Sequence, residues 1–83
     1  SVDITNAGTL TNGSYTAEIG AMTITNRGKL SSGTYTAKDD LTYTDSEDAS
    51  LSGSEFTSEE GNVDVNAKGQ LAIKKLAAKG NAK

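Results

Sequence analysis

The sequence predicts an all-β protein, specifically a right-handed parallel β-helix (β-solenoid) of about four coils, and three observations lead there. A unit of twenty residues is duplicated: the segment from Ile4 through Asn6 and Gly8 to Leu10 is answered by Ile24, Asn26, Gly28 and Leu30, and Gly13, Tyr15 and Ala17 by Gly33, Tyr35 and Ala37. Within the unit, apolar residues alternate with polar ones at period two, as in Val2 and Ile4 or Tyr15 and Ala17, and Asn-x-Gly or Gly-containing turns separate these runs. The chain is only 34% hydrophobic, with one Phe, three Tyr, and no Trp, Cys, His or Pro. A unit so poor in large apolar residues cannot bury its inward side chains alone, but stacked copies align like over like and share one continuous core.

The coils follow from the spacing of apolar residues, at approximately 2–21, 22–40, 41–62 and 63–83. Val2, Met22, Leu41 and Val63 open them, with Ile4, Ile24, Tyr43 and Val65 two residues on. Leu10, Leu30, Leu51 and Leu71 form a third column, and five residues later come Tyr15, Tyr35, Phe56 and Leu76. Small residues follow at Ala17, Ala37, Ser58 and Ala78. The third coil carries two extra residues between Tyr43 and Leu51. Asn6, Gly8, Asn26, Gly28, Gly20 and Gly61 stand where the chain can turn, and Asn6, Asn26 and Asp45 are expected above one another at one corner, bonding along the stack. The run from Gln70 to Lys79 would also make an amphipathic helix in isolation. A strand is expected instead, because Leu71 and Leu76 fall in register with the earlier coils. The Tyr15, Tyr35, Phe56 column predicts a stack of aromatic rings.

Composition narrows function by exclusion. A chain rich in Gly, Ser, Thr, Asn and Asp would suit a disordered linker were it not for the repeat. Without Cys or His there is no disulfide, no zinc site and no histidine chemistry. A net charge of -3 does not suit a nucleic acid or an anionic membrane surface, and no stretch approaches the ~20 apolar residues of a membrane span. No signal peptide opens the sequence, and Ser1 to Ile4 already alternate like a strand, so the chain is expected to begin inside a longer protein. No cofactor, metal or catalytic residue is expected, and the chain is not read as an enzyme.

Charge is segregated along the chain. Eight acids and no Lys or Arg lie between Asp39 and Glu60, whereas five of the eight basic residues lie from Lys68 to Lys83. Exposed charge of this kind usually marks a solvated face. Register sets Glu55 beside Lys75 as a cross-strand pair. Asp39, Asp40, Asp45, Glu47 and Asp48 offer carboxylates for calcium, but their spacing matches neither an EF-hand loop nor a glycine-aspartate nonapeptide. Two acids suitably spaced would serve sugar hydrolysis or lyase chemistry, yet four coils without a groove are a poor frame for it. The Thr23-x-Thr25 and Thr42-x-Thr44 pairs resemble the threonine ladders of ice-binding solenoids, but Asp3 and Asp64 interrupt the array.

The segments Asn6-Ala7-Gly8-Thr9-Leu10-Thr11-Asn12-Gly13 and Asn26-Arg27-Gly28-Lys29-Leu30-Ser31-Ser32-Gly33 resemble filamentous haemagglutinin repeats, and Val65 to Leu71 is a looser third match. The third coil departs, with Asp45 to Ser50 where Asn-x-Gly stands elsewhere. The family comprises two-partner-secretion exoproteins of Gram-negative bacteria, adhesins and contact-dependent growth inhibition effectors among them. The resemblance implies a secreted protein on the exterior of the outer membrane, and a stalk or cell-binding stretch with no active site to carry over. Its implied partners are neighbouring coils of a parent protein or a host or bacterial surface receptor or glycan; the open edges expected on the first and last coils add end-to-end self-association as a further expectation. For a receptor or glycan, the candidate contacts are Tyr43, Asp45, Glu47 and Asp48 in the irregular third coil.

Overall fold

The computed structural model describes residues 1–82, which form nine strands and no helix. The first coil holds β1 (Val2–Asn6), β2 (Thr9–Thr11) and β3 (Ser14–Ala17), and the second β4 (Met22–Asn26) and β5 (Lys29–Ala37). The third holds β6 (Leu41–Asp45) and β7 (Ser50–Ser58), and the fourth β8 (Val63–Asn66) and β9 (Gln70–Ala78). Two parallel sheets result: β1-β4-β6-β8, and β2-β5-β7-β9 with β3 also on β5. The chain is a parallel β-solenoid. Its longest dimension, 31 Å against 20 and 17 Å, fits the nine-residue strands at ~3.3 Å per residue, so each coil is flattened between the two sheets.

Every column expected from the spacing is realised in the pairing. Val2 pairs Met22, Met22 pairs Leu41 and Leu41 pairs Val63. Leu10, Leu30, Leu51 and Leu71 stack in order, as do Tyr15, Tyr35, Phe56 and Leu76. Gln70–Ala78 is a strand, because Leu71 and Leu76 complete apolar columns that a helix would turn away from the stack. Beyond β9, Val63 pairs with Ala82, so the chain enters a further turn there.

Burial follows the stack. Met22, Ile24, Leu30, Tyr35, Leu41, Tyr43, Leu51, Phe56 and Val63 are all at most 1% exposed, whereas Leu10 and Tyr15 in the first coil are half-buried and Leu71 in the last is 47% exposed. The aromatic column exists in two geometries. Tyr15 and Tyr35 lie face to face at 5.0 Å, Tyr35 meets Phe56 edge-on at 5.5 Å, and Tyr43 reaches across from the other sheet to Phe56.

One feature of the second sheet has no counterpart in the apolar pattern. Asn12, Ser32 and Gly53 share one level of the coil and all have left-handed φ, at 63°, 51° and 62°. Each long strand therefore bends at that level, and in the first coil, where Gly13 follows with φ 104°, the bend separates β2 from β3. Ile73 takes this place in the fourth coil. A β-branched side chain is strained in the left-handed region, so β9 runs on without the bend, and its register against β7 shifts on either side of Ser54.

Replacing Leu30 by Asp sets an unpaired carboxylate between Leu10 and Leu51 at a position only 1% exposed, which costs several kcal/mol in a chain of this size. Leu30→Asp is expected to lose the strand signal in far-ultraviolet circular dichroism; retention of that signal would overturn the core assignment.

Candidate functional site

The corner after the first sheet gathers the polar groups that the sequence singles out. Asn6 and Asn26 end their strands with side chains turned inward, and each uses its oxygen to accept the backbone N–H two residues on, Gly8 at 3.3 Å and Gly28 at 3.1 Å. These are side-chain-closed turns of the kind Asn favours. The amide nitrogen of each reaches the following coil, Asn6 donating to Lys29 O at 2.7 Å and Asn26 to Ser50 O at 3.0 Å. Successive corners pack so closely that a Cβ on Gly28 would run into the carbonyl oxygen of Gly8, which explains the glycine of the Asn-x-Gly motif.

Asp45 occupies the third position of the column and changes its chemistry. A carboxylate cannot donate, so the ladder reverses its polarity there. Its Oδ1 accepts from the backbone N–H groups of Lys68 at 2.6 Å and Gly69 at 3.1 Å, and its Oδ2 accepts from the Tyr43 hydroxyl at 2.8 Å. The Tyr43 oxygen in turn accepts from Asn26 Nδ2 at 3.1 Å, and Asn6 Nδ2 donates to Asn26 Oδ1 at 3.0 Å. One directed chain of hydrogen bonds thus runs from Asn6 through Asn26 and Tyr43 to Asp45.

This geometry divides the candidate partner residues. Tyr43 is fully buried and Asp45 is 5% exposed, so both are core groups and neither offers a side chain to a partner. Glu47 and Asp48 are exposed on the tight turn that absorbs the extra residues, closed by Ala49 N donating to Ser46 O at 3.1 Å with Ala49 tucked inside. Asp39 and Asp40 lie at the opposite end of β6, ~15 Å away along the five-residue strand, so the carboxylates considered for calcium fall on two different corners. Asp40 Oδ1 accepts the Asn62 N–H there. Thr23 and Thr25 pair with Thr42 and Thr44 on the outer face of the first sheet, bounded by Asp3 and Asp64.

Glu55 and Lys75 are in register as expected, but among the described residues the ion pair that closes is Lys38 with Glu60, at 3.3 Å and about half exposed. Such a pair contributes little. Sequence reading set Ser58 in the column of small residues without giving it a role and missed Ser54; both lie inside the coil. The Ser58 hydroxyl donates to Asp39 O and accepts from Gly61 N–H, tying the second corner; its place in the Ala17 and Ala37 column was the available signal. Comparison with protein-family models, curated proteins and solved structures gives no match.

The two buried tyrosine hydroxyls make opposite demands. Tyr43 links Asn26 to Asp45, whereas the Tyr35 hydroxyl is buried with no hydrogen-bond partner among the described residues. Tyr43→Phe is expected to destabilise the chain by ~1–3 kcal/mol in urea titrations, and Tyr35→Phe to be neutral or stabilising. Desolvation by burial, with Tyr15 adding to it, pushes the Tyr35 hydroxyl from 10.0 up to about 12. Below pH 10 Tyr35 is protonated in both the folded and unfolded chain and its contribution is complete. As the pH rises from 10 to 12 the unfolded chain ionises first and stability falls. Tyr35→Phe should blunt that alkaline loss, measured as the pH dependence of the urea midpoint.

Proposed function

We propose that the chain is a structural repeat segment, a stalk stretch of a large secreted or surface-exposed bacterial exoprotein of the filamentous haemagglutinin type, and that it performs no catalysis. The observation that carries this reading is that like residues return to the same columns through four coils, with register shifts only beside Ser54, so that each repeat adds one layer to a rod. The Asn-x-Gly corners at Asn6 and Asn26 support the family, since they build the coil turn that the resemblance rests on. A spacer of this kind sets the reach of whatever it carries. In a receptor- or glycan-binding segment, by contrast, recognition would fall to Glu47 and Asp48 on the third-coil turn.

Two measurements test this. A second copy of residues 22–40 inserted after Asp40 should extend the body along the stack axis, across the strands, by ~4.8 Å, read as a larger radius of gyration in small-angle scattering, and raise its melting temperature, because the new layer repeats contacts already present. Collapse of the longer chain would count against a modular rod. Beads coated with the chain should show no saturable adhesion to epithelial or bacterial cells. Saturable adhesion lost on replacing Glu47 and Asp48 by Ala would put binding in place of the stalk.

A further inference from the structure

The left-handed bend of the second sheet restricts which residues can occupy it, and in the first coil that restriction assembles a reactive pair. Gly13 has φ 104°, and a Cβ there would stand 3.0 Å from the Tyr15 hydroxyl oxygen, so the position takes glycine. Asn12 before it has φ 63°, a conformation that Asn tolerates better than most side chains. The fold thereby sets an asparagine directly before a glycine. Of the six Asn residues, Asn12 alone precedes Gly, whereas the other five precede Ala, Arg or Val, whose side chains crowd the following backbone nitrogen.

This level of the coil is open to water inside the stack as well. Ser32 and Gly53, which share it, are exposed as Asn12 is, although their coils have a neighbour on either side. β5 and β7 pair Ser31 with Ser52 and Gly33 with Ser54 but leave Ser32 and Gly53 unjoined, and in the first coil Asn12 and Gly13 fall between β2 and β3. The exposure of Asn12 therefore belongs to its place in the coil. The corner asparagines are held differently. Asn6 and Asn26 are buried, and both the oxygen and the nitrogen of each amide are engaged in hydrogen bonds.

We propose that Asn12 is a site of spontaneous deamidation and isomerisation in the folded chain. The Gly13 backbone nitrogen bonds to Asn12 Cγ, the bond from Cγ to the amide nitrogen breaks, and that nitrogen leaves as ammonia with the proton that Gly13 gives up. Water then opens the five-membered ring at one of its two carbonyls, leaving aspartate or, with the chain rerouted through Cγ, isoaspartate. Either product adds a negative charge to an exposed bend, and isoaspartate also adds a carbon to the backbone there. The site rests on the local fold alone and neither needs nor supports the stalk reading.

The test is incubation of the purified 83-residue chain at neutral pH over some weeks, folded and in urea, followed by proteolysis and mass spectrometry with fragmentation that separates isoaspartate from aspartate. The unchanged chain should gain both products at Asn12, with isoaspartate in excess, and no more than about tenfold slower folded than in urea, since an exposed bend outside the strand pairing opens at little cost. Asn6 and Asn26 should stay intact in the folded chain. Asn12→Ser installs the residue that the second coil holds at the same level, and should abolish the change while keeping the strands. Ser32→Asn sets an asparagine before Gly33 inside the stack and should add a second site. If circular dichroism shows that Ser32→Asn has lost its strands, the unchanged chain and Asn12→Ser decide the matter between them. Asn12 unmodified in the folded chain while the urea sample converts would overturn the proposal. So would aspartate without isoaspartate, modification of Asn6 or Asn26 at the same rate, or a folded Ser32→Asn chain that gains no second site.

Discussion

Each coil is covered by its neighbours and by nothing else. A layer two strands deep has no second layer of its own, so Leu30 and Leu51 are buried only because Leu10 and Leu71 lie on either side of them. That dependence imposes a rule on the whole chain: every coil must return to the same columns at the same height. The third coil, longer than the second, obeys it by confining its surplus to the turn at Ser46 to Ala49 and rejoining the column at Leu51. The fourth obeys it at Leu71 and Leu76 even though Ile73 denies it the bend of the other three.

Apolar columns alone do not specify which coil lies on which. Leu over Leu is as good two coils away as one, and the first two coils are near copies. The polar ladder is less tolerant, because it has a direction. Asn6 and Asn26 each need a carbonyl ahead of them, and Asp45 needs donors, which it finds in the Lys68 and Gly69 amides and in Tyr43. Exchanging coils would set the Asp45 carboxylate against carbonyl oxygens and leave buried donors unpaired, at ~1–3 kcal/mol for each group. The ladder therefore supplies an order that the hydrophobic columns lack, a use of buried polar groups for which a register-setting role is the best-attested precedent.

The architecture was legible because solenoid register is a property of spacing. Val2, Met22, Leu41 and Val63, or Leu10 through Leu71, declare their columns by sequence distance, and the stack has few other ways to satisfy them. The left-handed bend was not legible. Asn12, Ser32 and Gly53 share a backbone conformation without sharing a side chain, and only the glycines at that level, Gly13, Gly33 and Gly53, hinted at it. The candidate site was legible in part. Asp45 was rightly placed above Asn26, but its position in a buried column already implied that it faced inward, and weighing it as a partner contact gave its charge more influence than its register. Tyr43 carries the same lesson, since it stands in the column of Ile24 and is as buried as Ile24.

Surface charge then does for the outside of the stack what the ladder does for the corner. The alternation of Glu18, Lys38, Glu59 and Lys79 favours adjacent coils and penalises a slip of one, which would set Lys38 beside Lys79 or Glu18 beside Glu59. Each exposed pair contributes only tenths of a kcal/mol, too little to hold the fold together. A slipped stack, however, differs from the native one by so little apolar contact that small terms decide between them. Weak corner charges can therefore select the register while the buried columns supply the stability, and the two tasks need not fall to the same residues.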